Sequence, residues 1–158
     1  MSTHKLGRLD LTLSPGRLTL AGRIDDSSPL GDFATEVPPG EIAIDTEGVV
    51  FVNSIGMREW MRLVRALRER GTITFERVAD VLITQMNLRP EFLGARVTSF
   101  HAQYVCPACG AEAAPLIDAV ANADGLRRNQ PPKLPCPECA KPMDLADFPE
   151  RYLTLFKV

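Results

Sequence analysis

The sequence predicts an α/β protein, in which helices pack on a mixed sheet and a small metal-binding appendage follows. Strand-like and helix-like segments alternate along roughly the first 100 of the 158 residues, which favours parallel strand pairs connected by helices. All four cysteines lie in the last third of the chain, in two C-x2-C pairs, a spacing typical of a metal site. We therefore expect two regions, residues 1–101 and residues 102–158.

The first elements are predicted from alternation and turn residues. Residues 9–13 and 17–21 alternate apolar and polar side chains, and Ser14-Pro15-Gly16 stands between them, which predicts a hairpin. Residues 25–35 carry a weak helical signal, and residues 41–45 predict a third strand.

The clearest helix is predicted over residues 54–71. Its apolar side chains form one stripe at helical spacing, made of Gly56, Trp60, Leu63, Val64 and Leu67. Further along the chain, we predict a strand over 72–75, a helix over 79–88 that stops before Pro90, and a strand over 95–100.

The cysteines predict a tetrathiolate zinc site. Two tight turns aim two sulfurs each at one point, and together they complete a tetrahedron around Zn²⁺, with the ligands Cys106, Cys109, Cys136 and Cys139. Four thiolates leave no position for a substrate, so we expect a structural site. Disulfides, free thiols and a rubredoxin-like iron site remain alternatives.

Composition and charge exclude several classes of protein. The net charge is −2 and hydrophobic residues make up 45% of the chain, so the overall basic excess typical of nucleic-acid-binding proteins is absent. No run approaches the roughly 20 apolar residues of a membrane helix, and the first residues do not resemble a secretory signal. We therefore expect a cytoplasmic protein without a membrane partner.

Two segments carry a family resemblance. Residues 45–57 read DTEGVVFVNSIGM and residues 20–25 read LAGRID. The first resembles the signature loop of STAS domains, the fold of anti-sigma-factor antagonists, and the second is similar to the end of that family's second strand. The resemblance covers roughly residues 6–105 and implies a STAS-like mixed sheet there, which the zinc-ribbon-like segment predicted by the cysteine spacing follows.

The resemblance also implies a function and a partner. In the family, an anti-sigma-factor kinase phosphorylates the serine at the helix start, which is Ser54 here. The docking candidates that follow are Asp25, Asn53, Ser54, Met57, Arg58 and Arg62. The family pattern has Asp and Ser/Thr where this chain has Asn53 and Ile55. Ser54 or Asn53 as a simple helix cap, and the arginines as a solvated helix face, are the alternatives.

No catalytic motif is present in the sequence, and we expect His101 to be an ordinary strand-end histidine. The expected function is a non-enzymatic regulatory or scaffold protein that binds a protein partner. The alternative is a nucleic-acid-binding protein that acts through the zinc ribbon, with Arg127, Arg128 and Lys133 as its basic loop.

Overall fold

The computed structural model describes residues 1–157 and contains a five-stranded mixed sheet. The strands lie in chain order, with antiparallel pairing from β1 to β3 and parallel pairing from β3 to β5. They are β1 (Ser2–Leu6), β2 (Leu9–Ser14), β3 (Arg17–Ile24), β4 (Ile42–Val52) and β5 (Ile73–Glu76). The predicted α/β class is confirmed.

Helices cover one face of this sheet. Helix α1 (Ser54–Arg68) buries Trp60, Leu63 and Leu67, and the Trp60 ring lies 5.8 Å from that of Phe75 on β5. The connection before β4 is a 3-10 helix, Leu30–Glu36, which packs along α1. Helix α2 (Asp80–Met86) and a short 3-10 helix, Pro90–Phe92, complete the layer.

Several elements differ from the sequence-based prediction. Strand β1 was not predicted, because its residues acquire strand geometry by pairing with β2 rather than from a strong local pattern. Strand β4 runs to Val52, well beyond the predicted residue 45. The predicted strand over 95–100 is reduced to β6 (Ser99–His101). Val97 forms a single parallel bridge with Phe75 on β5, and Phe100 forms one with Val78, just after β5.

The C-terminal region contains a four-stranded sheet of order β10-β11-β7-β8. Its strands are β7 (Tyr104–Val105), β8 (Glu112–Ala113), β10 (Leu134–Pro135) and β11 (Pro142–Leu145). Helix α3 (Ala123–Arg127) lies between the two cysteine pairs. Helix α4 (Glu150–Leu153) and a 3-10 turn, Thr154–Phe156, follow β11.

Contacts cross the predicted boundary at residues 101 and 102. Strand β6 pairs with β9 (Leu116–Asp118), and the Phe100 ring lies 5.3 Å from that of Phe156. The backbone N–H of Leu155 donates to Asn87 Oδ1 over 2.9 Å. Buried side chains of both regions belong to one hydrophobic cluster, so the C-terminal region is packed onto the first rather than tethered to it.

Among residues 1–157, none of the helices combines the length and the apolar character that crossing a bilayer requires.

Candidate metal centre and docking surface

Each cysteine pair lies on a turn with the same hydrogen bonding. In the first turn, Gly110 N donates to Cys106 O and Cys106 N donates to Ala111 O, both over 2.8 Å. In the second turn, Ala140 N donates to Cys136 O and Cys136 N donates to Lys141 O, again over 2.8 Å. The chain therefore forms the same type of turn twice, and each of these cysteine-bearing turns is called a knuckle below.

The knuckle requires a left-handed residue one position after its second cysteine. Gly110 has φ 78° and Ala140 has φ 64°. Glycine adopts this conformation without steric penalty, whereas an L-residue with a Cβ is disfavoured there by about 1–2 kcal/mol. Hydrogen bonding of the second knuckle holds Ala140 in this conformation.

The four sulfurs converge. All four Sγ atoms lie within 4.8 Å of one another, with 3.5 Å between those of Cys106 and Cys139 and 3.6 Å between those of Cys109 and Cys136. Tetrahedral thiolates at about 2.3 Å from a metal are separated by about 3.8 Å, whereas a disulfide joins sulfurs at about 2.05 Å. The cluster therefore has the dimensions of a metal site, and all four cysteines are free.

The surroundings favour the thiolate form at Cys106 and the thiol form at Cys109, whose pKa is raised to about 12. The backbone N–H of Cys109 contributes most to lowering the pKa of the Cys106 thiol to about 7, because hydrogen bonding stabilises the charged sulfur. Glu138 N donates to Cys136 Sγ over 3.4 Å. Cys106 and Cys136 are buried and Cys109 is exposed, so the cluster lies at the edge of the core with one side open to solvent.

Tyr104 connects the first knuckle to the approach of the second. Its hydroxyl donates to Pro132 O over 2.7 Å, which ties β7 to the loop before β10. Burial of the ring raises the pKa of Tyr104 to about 12, so the hydroxyl remains a donor at neutral pH. The long insertion between the cysteine pairs is therefore attached to the strand that carries the first pair.

The N-terminal end of α1 is capped by Asn53. Asn53 Oδ1 accepts from Gly56 N over 2.7 Å, and Ser54 is the first helical residue with an exposed side chain. The alternative in which Ser54 caps the helix is therefore wrong. The Ser54 hydroxyl makes no side-chain hydrogen bond within residues 1–157, which leaves its oxygen open to solvent.

Gly56 brings the helix start directly onto the end of β3. A Cβ at this position would lie 1.9 Å from Ile24 O, so any other residue would push α1 away from the sheet. Asn53 N donates to the same carbonyl over 3.3 Å. The helix start and the ends of β3 and β4 therefore form one rigid corner.

The docking candidates from the sequence differ in accessibility. Asp25 is buried, and its carboxylate accepts from Ser27 Oγ over 2.6 Å and from Ser27 N over 2.9 Å, bonds that hold the pKa of Asp25 below its usual value. Met57 is 1% exposed. Neither side chain is accessible to a partner, because both stabilise the corner from inside.

The arginines of α1 differ in whether an acidic side chain of the protein pairs with them. Arg62 donates to Glu59 and to Asp32 over 2.8–3.0 Å, and these hydrogen bonds raise its pKa. Arg65 is paired with Glu91. Arg58 is exposed and has no ion pair within residues 1–157, so its guanidinium is free to meet an external acidic group.

Two exposed apolar residues in the segment around Ser54 were not among the docking candidates from the sequence. Val50 is 67% exposed near the end of β4, and Ile55 is 46% exposed in the first turn of α1. The run of four apolar residues at positions 49–52 was a usable signal, because alternate side chains of a strand point to opposite faces. Arg23 lies over the neighbouring Phe51 ring at 3.8 Å.

The basic loop of the C-terminal region is largely neutralised. Arg127 pairs with Asp124, and Lys133 Nζ lies 2.8 Å from Asp144 Oδ1. Only Arg128 of the three predicted residues lacks an ion pair among the described residues. The loop therefore does not form a continuous basic patch.

Comparison of the sequence with protein-family models gave no match, and comparison with curated proteins gave none.

Proposed function

We propose that the protein is a non-enzymatic regulatory or scaffold module, similar to STAS-type anti-sigma-factor antagonists, that binds a protein partner. Its docking surface consists of Val50, Ser54, Ile55 and Arg58. The observation that carries the proposal is the exposure of Val50 and Ile55, which precede and follow Ser54 in the sequence.

The docking surface has the composition of a small protein interface. Burial of a Val or Ile side chain stabilises a complex by up to about 1.5–3 kcal/mol, scaled by the exposed fraction that becomes buried. Arg58 adds a charged group with no internal partner, and arginine is enriched at interfaces. An acidic group on the partner next to two small apolar pockets would complement this arrangement.

Phosphorylation of Ser54 by an anti-sigma-factor kinase is the proposed switch. The exposed hydroxyl lies in the first turn of a 15-residue helix, where a phosphate interacts favourably with free N–H groups and with the helix dipole. It would add nearly two negative charges at the residue that directly precedes the exposed Ile55. The docking surface would then lose its apolar character without unfolding of the helix.

We propose Zn²⁺ as the metal held by the four cysteines. Thiolate ligands in tetrahedral arrangement suit zinc, and iron is the alternative with the same ligands. Four protein ligands fill the coordination shell, so the role is structural. The metal would hold two knuckles together in a region whose strands are only two to four residues long.

Partner binding is tested by affinity capture from the native cell extract, followed by titration of the captured protein. Ser54→Asp and Val50→Asp should each weaken binding at least about tenfold, because a charge would be desolvated in the interface. Gln130→Glu, which adds a negative charge at an exposed position of the C-terminal region, is the matched control and should bind normally. Equal weakening by all three variants would contradict the proposed surface.

A further inference from the structure

Arg58 follows Ser54 by about one turn of α1. Both side chains are exposed, and both belong to the regular part of the helix, which begins at Ser54. Residues four positions apart in a helix are neighbours on its surface, with about 5–6 Å between their Cβ atoms. Helical side chains also lean towards the N-terminal end of the helix. An arginine at position 58 therefore reaches back to a group carried by position 54.

Arg58 has no acidic neighbour on its own helix. The residues three and four positions away from it are Ser54, Ile55, Met61 and Arg62. The first turn of α1 also contains no acidic residue, and no carboxylate within residues 1–157 forms an ion pair with the Arg58 guanidinium. The side chain therefore presents a positive charge that the described part of the chain leaves uncompensated.

The other arginines of α1 already have acceptors. Arg62 is paired with Glu59 over 2.8 Å. Arg65 is paired with Glu91 over 2.6 Å, and Arg68 Nη1 donates to the backbone oxygen of the same residue over 3.1 Å. A new negative charge in the first turn of α1 would thus meet one arginine of this helix whose guanidinium is not engaged.

The arginine at the end of β3 is engaged as well. The Arg23 guanidinium lies 3.8 Å from the centre of the Phe51 ring, and its Nε lies 3.6 Å from Asp25 Oδ2. A cation that stacks on an aromatic face and faces a buried carboxylate is held in place by both. Movement of this side chain to a group on α1 would break both contacts.

We propose that Arg58 binds a phosphate on Ser54 of the same helix, an inference that rests on the proposed phosphorylation switch. The planar guanidinium donates two parallel hydrogen bonds to two phosphate oxygens. An anionic residue four positions before a cationic one is also the favourable order of a helical ion pair. Arg58 is then the residue through which the modification acts on the docking surface.

Phosphorylation supplies the negative charge by group transfer from a nucleoside triphosphate, the co-substrate of the proposed kinase. The bond between the γ-phosphorus and the bridging oxygen breaks, and the bond between that phosphorus and Ser54 Oγ forms. The hydroxyl proton passes to solvent through the base of the kinase, and the nucleoside diphosphate leaves.

The ion pair changes the docking surface in two ways. Nearly two negative charges on the phosphate and one positive charge on Arg58 leave a net charge of about −1 where it was about +1. The guanidinium is also no longer available to an acidic group of a partner. One modification therefore removes an attraction for an acidic partner and adds a repulsion.

The pair is tested in the full chain with phosphoserine introduced at position 54 by amber suppression, without a kinase or a partner. ³¹P NMR measures the second acid dissociation constant of the phosphate, which rises when a nearby cation stabilises the dianion. This constant should be about twofold larger in the otherwise unchanged chain than in Arg58→Gln, the ratio expected for an exposed helical ion pair. Arg58→Lys keeps the charge and should retain part of the difference.

Two control variants remove the same charge elsewhere. Arg65→Gln removes it from α1 at a position already paired with Glu91, and Arg8→Gln removes it from the exposed turn between β1 and β2. Both should leave the dissociation constant unchanged. The proposal is overturned if Arg58→Gln has no effect or if either control has an equal effect.

A measurement on the unsubstituted chain decides if Arg58→Gln does not fold. Exchange of the Arg58 Nε–H proton with water, followed by ¹⁵N NMR, should slow at least about twofold on phosphorylation of Ser54, as for formation of an exposed helical ion pair. Unchanged exchange would overturn the proposal.

Partner capture and the phosphate titration fail independently. Weaker partner binding by Ser54→Asp without an effect of Arg58 on the phosphate would overturn the ion pair and leave the docking surface supported. The twofold effect of Arg58 in a chain that captures no partner would support the ion pair and contradict the proposed function.

Discussion

At the scale of single residues, the adjacent Asn53 and Ser54 have different roles, since Asn53 caps helix α1 and Ser54 is exposed on the proposed docking surface. Asn53 satisfies a backbone N–H at the start of α1, whereas the Ser54 hydroxyl faces solvent. Replacing a capping side chain by alanine lowers helix stability, and replacing an exposed, unbonded hydroxyl has little effect. The neighbouring residues therefore provide a matched pair for separating stability from docking.

We expect Asn53→Ala to lower the free energy of unfolding by about 1 kcal/mol and Ser54→Ala to change it by less than about 0.5 kcal/mol. Urea denaturation of both variants, followed by circular dichroism, measures the difference. The opposite order would show that Ser54 caps the helix.

The two knuckles provide a second comparison at this scale, at Gly110 and Ala140. Ala140→Gly removes the steric strain of an alanine in the left-handed conformation but raises the conformational entropy of the unfolded chain. We therefore expect a net stabilisation of about 0.5 kcal/mol. Gly110→Ala should destabilise by about 1 kcal/mol. Thermal unfolding of the metal-loaded variants distinguishes them. Destabilisation by Ala140→Gly would mean that the alanine methyl group makes a compensating contact.

At the scale of elements, α1 is positioned at two points. Its apolar stripe packs on the sheet through Trp60 and its neighbours, and its first turn lies directly against the end of β3 at Gly56. The stripe determines which face of the helix is buried, and Gly56 determines how closely the docking surface approaches the sheet. The geometry of the corner therefore depends on one glycine.

We expect Gly56→Ala to destabilise the protein by about 2 kcal/mol, because the added Cβ meets a backbone oxygen that cannot move freely. Arg58→Ala, two residues along the same helix and exposed, is the control and should change stability by less than about 0.5 kcal/mol. Chemical denaturation measures both. A neutral effect of Gly56→Ala would show that the helix start is loosely held.

At the scale of the whole molecule, the metal centre and the hydrophobic core are connected. The strand that precedes the first knuckle continues from β6, and the chain after the second knuckle returns to pack on α2 and Phe100. Unfolding of the cysteine region would remove buried contacts from both places. Metal loss is therefore expected to affect part of the first region as well.

We expect chelation of the metal, or Cys136→Ser, to abolish protection from hydrogen exchange in residues 102–157 and to lower it around β6 and α2. Strands β2 to β4 should remain protected, because most of their contacts are with one another and with the neighbouring strands β1 and β5. Hydrogen exchange measured by mass spectrometry resolves these segments.

Native mass spectrometry of the untreated protein should show one bound zinc ion per chain, and the absence of a metal would contradict the proposed metal centre.

The sequence by itself determined the features that arise from local patterns. The cysteine spacing predicted the cluster that the structure brings together, and alternation around Ser14-Pro15-Gly16 predicted the β2–β3 hairpin. The apolar stripe predicted α1 to within a few residues. In each case the signal and the structure span the same short stretch of chain, so the period or spacing of the residues is sufficient.

Only the tertiary structure decided which residues are accessible and which distant groups meet. Asp25 and Met57 lie in the two segments from which the sequence suggested a docking surface, but packing of the corner buries both side chains. His101 and Glu47 are 54 positions apart, and no local periodicity encodes their contact. Burial and hydrogen bonding between distant residues depend on how sheet, helices and C-terminal region pack together, because a side chain's partners are set by the complete fold and not by its neighbours in the chain.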